Sequence, residues 1–371
     1  GTEPCAGLPT RTVLVYLAGD NNLEEIGRTP ELLRQGWKDT GSKCLIYYDA
    51  PQAAPKLFAL TIRHSDASSV LETVEEYPEE NSSSAGVFGR VVADVVRKYP
   101  SDSYGLIFAS HGSGWLPCGA LSDPTRTIGD DRTPGTTGGA REMEITDFAA
   151  AIPDHQFDFI IFEACLMSGI EVAYELRNKT DYLLASSAEL LVPGYAPVYP
   201  TAFQYLFDTS LGGPQALEKF AGSYFNYIDT RNGAYRSATQ SIVYTREMDA
   251  LAILAGKTTG NTHGRWDDAL LGKLQHFDRP GSYGDIPARP RYFDFGQYMA
   301  YLAPERQADL DALLRKTVVW KAATPEFMAG YNGFTILTHS GLTTYIEQDE
   351  FPELNAAYKK TAWWKATHVQ K

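Results

Sequence analysis

YGLIFASHGSGW (Tyr104–Trp115) and FDFIIFEACLMSGIEVAYEL (Phe157–Leu176) decide the fold. Each is a short, almost unbroken apolar run that ends in a reactive side chain, and the second passes into helical spacing over Ser168–Asn178. Strands without polar alternation are buried on both faces, which requires a mostly parallel sheet with helices on each side. The same unit recurs upstream. TVLVYLAG (Thr12–Gly19) is followed by helical spacing over Leu23–Trp37, and apolar runs return at Lys43–Asp49, Lys56–His64 and Asp181–Ser186. A helix is predicted over Phe88–Tyr99, where Val91, Val92, Val95 and Val96 share one stripe. The expected class is therefore α/β, with residues 1–259 as one unit. Residues 260–371 form a C-terminal α+β region packed on it, with a strand at Tyr331–Thr338 and aromatic helices at Tyr292–Leu302 and Tyr358–Trp364.

Composition narrows the functional classes. With 371 residues, 43% of them hydrophobic, the chain can bury an enzyme-sized core. Its 46 acidic and 33 basic residues leave a net charge of -13, which repels nucleic acid and anionic membrane and favours cationic partners. No run approaches the roughly 18 to 20 apolar residues of a membrane span. The chain opens on Gly1 without a charged-then-apolar leader, which fits removal of a signal segment before this numbering begins. Cys5, Cys44, Cys118 and Cys165 lack metal-ligand spacing and are too few to staple a chain of this length.

The chemistry gathers at two strand ends. In an open parallel sheet, sites form beyond the carboxyl ends of the strands, so His111 and Cys165 are expected on one rim. An imidazole beside a cysteine lowers the cost of the thiolate and later protonates a leaving amine. The amides of Gly112 and Cys165 are the natural donors to the tetrahedral oxyanion, because a glycine beside the histidine allows close approach. The plainer alternatives are a small core residue for Cys165 and a turn histidine for His111.

Three stretches also carry a resemblance. VYLAGDNNLE (Val15–Glu24), FASHGSGW (Phe108–Trp115) and FEACLMSGIEVAYEL (Phe162–Leu176) resemble the first-strand, histidine and cysteine motifs of the clostripain family. ASSAELLVPGYAPVY (Ala185–Tyr199) is similar to its substrate-pocket loop, and Tyr292–Phe295 to a later aromatic stretch. The resemblance implies a caspase-like three-layer α/β/α sandwich and a Cys-His dyad acting on peptides after Arg or Lys. It also implies a secreted, periplasmic or cell-surface location. The 54-residue step from His111 to Cys165 is close to the roughly 50 of caspases.

The family carries Asp two places before the cysteine, where this chain has Glu163. A carboxylate there shapes a pocket for a basic P1 side chain, and the extra methylene moves its charge by about 1.5 Å. Glu189, in the pocket-like loop, is a second candidate for that contact, with a solvated loop acid as the alternative. Family members are made latent and nicked between the two motifs. Residues 117–144 form a long Gly/Pro-rich loop holding Arg126, Arg132 and Arg141, the candidate self-cleavage points. Asp20 and Asn21 read as helix caps. Asp130 and Asp131 fall far short of the six to eight oxygens of a calcium site, although some relatives need calcium, so no cofactor is expected. His64, His155, His263, His276, His339 and His368 lack zinc-ligand spacing. Two other readings stay open: a thiol hydrolase of a non-peptide amide, and an inactive relative that serves as a binding module.

Overall fold

A computed structural model describes residues 7, 9–18, 27–50, 53–118, 120–121, 143–259 and 268–369. The apolar runs become β1 (Arg11–Leu17), β2 (Lys43–Tyr48), β3 (Lys56–Ile62), β5 (Ser103–Ala109), β6 (Phe157–Glu163) and β7 (Thr180–Ala185). Between β3 and β5 runs β4 (Ser69–Glu76), and β8 (Thr239–Tyr244) follows β7. Further on come β9 (Phe293–Asp294) and β10 (Val318–Ala323). All except β9 join one sheet in the order β10-β8-β7-β6-β5-β1-β2-β3-β4. The central strands β2, β1, β5, β6 and β7 are parallel; β3, β4, β8 and β10 are antiparallel at the edges.

Alternation along each strand divides the core into two layers. Tyr16, Phe108 and Phe162 face α2 (Ala85–Lys98) and α3 (Ile145–Ala150), whereas Val15, Ile107 and Ile161 face α1 (Thr29–Gly36) and the helix Gly213–Asp229. On the first side the Tyr16 ring stacks between Tyr47 at 4.5 Å and Phe108 at 5.3 Å, with the edge of Phe88 at 5.1 Å. Val91, Val92 and Val95 of α2 are fully buried there, each worth about 1.5–3 kcal/mol of transfer free energy.

The edges differ from expectation. SVLETVEE and TQSIVY become β4 and β8, although their mixed composition gives a weak strand pattern; partners supply what the pattern lacks. The strand expected at Tyr331–Thr338 shrinks to Phe334–Thr335, because Tyr331 and Asn332 form an exposed turn with Asn332 at φ 55°. The described part of the first helix begins at Thr29. Asp20, Asn21, Asp130, Asp131, His263, Arg126, Arg132 and Arg141 lie outside the described residues.

Residues 268–369 do not merely coat the outside. They supply β10 to the main sheet, and Thr343–Thr344 pairs with β9 while Thr343 also bridges to Gly169. The Ser168 hydroxyl donates to the Gly341 carbonyl at 2.6 Å, and Thr343 N–H donates to Ser168 O at 2.9 Å. Next along, in α4 (Ile170–Glu175), Glu171 is 3% exposed. Its carboxylate accepts from Tyr345 N at 2.8 Å and Tyr358 Oη at 3.0 Å. Burial raises its pKa to about 7 against the pull of those donors.

The folded chain therefore keeps a proton on Glu171 where the unfolded chain has lost it, so this contribution to stability is full below the ordinary value of 4.5 and fades as pH rises through about 7. Glu171→Gln retains the acceptor oxygen but cannot ionise. Thermal unfolding from about pH 5 to 8 is expected to show the wild-type midpoint falling relative to the variant as pH rises. Parallel curves would contradict the assignment.

Candidate active site

Strands β5 and β6 pair in register from Gly105 opposite Phe159 to Ala109 opposite Glu163. Two more steps at the same offset set His111 beside Cys165, and the backbone holds them there, because Ser110 N–H donates to Glu163 O at 3.3 Å. The glycines of His-Gly-Ser-Gly explain the closeness. A Cβ on Gly112 would lie 2.3 Å from the Cys165 carbonyl oxygen and 3.1 Å from its nitrogen. A Cβ on Gly114, which sits at φ 66°, would lie 2.8 Å from the Leu166 carbonyl. Both sites admit only glycine without moving main chain. The two loops thus touch main chain to main chain.

Leu166 takes φ 62°, a conformation rare for a branched residue, and so turns the chain sharply behind Cys165. The turn is anchored by Leu166 N–H donating to Ala188 O at 3.0 Å. Cys165 is 3% exposed. Its sulfur accepts from Leu190 N–H at 3.4 Å and makes a longer contact of 3.8 Å with Leu190 O. His111 is partly exposed and lines a cleft with Phe108, Phe148, Phe162, Met143 and Met167.

Glu163 points to the opposite face of the sheet from Phe162, as alternation requires. It keeps part of its surface open, but its carboxylate lies 3.4 Å from where a Cβ of Gly194 would stand and accepts a short hydrogen bond from Tyr199 Oη. Enclosure raises its pKa to about 7, opposed by the bonds from Tyr199 and the Tyr195 amide. Close by is the hydroxyl of Tyr224, fully buried and without a hydrogen-bond partner among the described residues. Burial first, and then Glu163 and Cys165, raise its pKa.

Glu189 departs from expectation. It is 1% exposed, and its carboxylate is held by both arms of Arg279, with Nε to Oε2 at 2.5 Å and Nη2 to Oε1 at 2.8 Å. Tyr283 Oη adds a bond at 3.3 Å. A P1 side chain cannot use a carboxylate already saturated this way, so Glu189 is a structural anion tying the pocket-like loop to the C-terminal region. Burial alone would lower the pKa of Arg279, but Glu189 more than offsets it and keeps the guanidinium charged.

Sequence reasoning missed Arg279 and Tyr224, whose letters carry no local signal for contacts made across the fold, whereas Leu190 and Tyr199 fall inside the pocket-like stretch Ala185–Tyr199. Tyr292 was signalled, since it opens the aromatic stretch at Tyr292–Phe295. Its hydroxyl donates to Ser113 O at 2.5 Å and fixes the histidine loop. Trp115 packs its ring on Tyr345 at 5.1 Å and Tyr358 at 4.8 Å. Among the described residues no three or more His, Cys, Asp or Glu side chains converge as a metal site, and no helix is long and apolar enough to cross a membrane.

With this geometry in hand, the chain can be compared with known proteins. The model of the clostripain family matches residues 15–255. Clostripain of Hathewaya histolytica is 26% identical over 290 residues, 70% of this chain and 52% of that protein, so the chain spans about half the length of this curated relative. An inactive zymogen C11 protease from Parabacteroides distasonis superimposes with a TM-score of 0.79 at 28% identity, covering 99% of this chain and 100% of that one. A secreted C11 cysteine protease from Bacteroides thetaiotaomicron gives 0.80 at 26% identity over 97% and 99% of the two chains. The same description with an irreversible peptide inhibitor bound gives 0.77 at 25%, over 96% and 98%.

The Glu189–Arg279 pair makes a separate prediction. Arg279→Met leaves a carboxylate buried and unpaired, which is expected to cost about 3–5 kcal/mol in urea unfolding, whereas Arg279→Met with Glu189→Leu recovers most of it. Equal losses in the single and double variants would show that the pair is not what holds this contact.

Proposed function

The chain belongs to the clostripain family, and from that premise we propose that it is a cysteine endopeptidase in which Cys165 attacks the scissile carbonyl and His111 moves the protons. One observation supports the reading: Gly112 and Gly114 stand so close to the carbonyls of Cys165 and Leu166 that the chain following His111 and the chain carrying Cys165 meet main chain to main chain at the ends of neighbouring strands. His111 takes the proton from Sγ, the thiolate adds to the carbonyl, and the Gly112 and Cys165 amides receive the oxyanion. Collapse of the intermediate passes the same proton to the leaving amine, and water then releases the acyl group from sulfur. This chemistry calls on no metal or organic cofactor.

A basic P1 residue is supported by Glu163. Its carboxylate stands two residues before the nucleophile, partly open and with the unpartnered Tyr224 hydroxyl nearby. The segment before Met143 remains the proposed point of self-cleavage, at Arg126, Arg132 or Arg141. A latent starting form is supported by Cys165 being 3% exposed with its sulfur against Leu190. Likeness to proteases described as secreted supports an exported location, and a peptide-inhibitor complex among the similar structures supports a peptide substrate.

The decisive experiment combines a thiol-directed acyloxymethyl ketone ending in Arg with peptide amides ending in Arg, Lys, Asn, Asp or Ala, before and after nicking of the loop. Labelling and Arg/Lys cleavage that both vanish in Cys165→Ala are expected, with intact mass showing two fragments for wild type and one chain for the variant. Labelling without turnover of any peptide would favour a non-peptide amide, and no labelling would favour a binding module.

Glu163 adds a pH dependence. Only its ionised form attracts a cation, so inhibition by agmatine, a mimic of the arginine side chain, is expected to weaken by about tenfold per pH unit well below 7. In Glu163→Gln the inhibition becomes weak and flat with pH. A wild-type profile without that limb would remove Glu163 from the P1 contact.

A further inference from the structure

The cleft beside His111 is not used by the chemistry above. Its floor is Phe108 and Phe162, its walls are Phe148, Met143 and Met167, and Ser83 and Ser110 are at its rim. Apart from His111 itself, no charged side chain is among the described lining residues. Phe108 and Phe162 belong to one face of the sheet and Glu163 to the other, so the cleft and the P1 carboxylate lie on opposite sides of the Cys165–His111 rim.

A general acid must stand on the amine side of the bond it helps break. A peptide that directs its P1 side chain toward Glu163 therefore carries its leaving half over His111 and onto the opposite face. We propose that this cleft is the P1′ subsite and receives a flexible apolar side chain such as leucine or methionine. This assignment rests on the peptidase reading given above. The floor and most of the walls are nearly closed to solvent and apolar, which suits an apolar guest. Met143 and Met167 are adaptable walls for such a guest, because thioether side chains repack at little cost. Apart from His111, which the proposed proton transfers engage, an acidic or basic P1′ residue would find its charge against phenylalanine with no counter-ion among the described lining residues. His111, which lines the cleft, is also the residue that must protonate the leaving nitrogen, so the chain beyond the cut bond starts at this cleft.

The test uses the full chain and two peptide panels that share an Arg at P1. One panel varies P1′ through Leu, Met, Ser, Asp and Lys, and the other varies P2 through the same residues; an Arg coumarylamide, which has no P1′ residue, serves as the reference. The expected result is kcat/KM for Leu or Met at P1′ exceeding Asp by on the order of tenfold or more. In Met143→Glu the Leu-to-Lys ratio is expected to fall by a similar factor. Because each ratio is internal to one preparation, partial misfolding of the variant scales all peptides alike, and the wild-type panel stands without it. Equal rates across the P1′ panel with the coumarylamide still cleaved would overturn the subsite and leave the peptidase reading intact. A preference that follows P2 instead would also overturn it, and turnover of no substrate would overturn both.

Discussion

The site depends on one steric constraint: two loops must approach main chain to main chain at the carboxyl ends of β5 and β6. Side chains have no room in that contact, so the positions facing the Cys165 and Leu166 carbonyls are glycines 112 and 114. The same absence of a side chain lets the Gly112 backbone approach the Cys165 backbone closely. Strand pairing supplies the register, the glycines supply the closeness, and the left-handed turn at Leu166 turns the chain sharply behind Cys165.

The C-terminal region acts on this contact from both sides. Tyr292 fixes the His111 loop through Ser113 O, and the strand around Thr343 fixes the segment just after Cys165 through Ser168. Trp115, Tyr345 and Tyr358 fill the space between with rings about 5 Å apart. A region expected to lie against the catalytic unit thus also completes its sheet through β10, and the two share one hydrophobic cluster.

Three enclosed carboxylates show how surroundings divide the work of one residue type. Glu189 has a cation of its own and serves architecture. Glu171 has only neutral donors, so it is raised to about 7 and gives packing a dependence on pH. Glu163 is raised similarly but stays partly open, with Tyr199 on one side and the buried Tyr224 hydroxyl nearby, and that partial exposure is what separates it from the other two. Born and hydrogen-bond energetics give the common rule: a buried anion is kept charged by a partner, or neutralised by a proton until one arrives.

The letters alone determined the central strands, the order of the histidine and cysteine motifs, and the glycines between them, because apolar periodicity and glycine placement are local properties that survive without a fold. They did not reveal β4, β8 or β10, whose side chains are ordinary and whose strand character comes from pairing. They also misassigned Glu189, since nothing near position 189 announces an arginine 90 residues away. Tertiary structure alone decided which acid is sealed and which stays open, because ion pairing and desolvation depend on distance in space and not on separation along the chain.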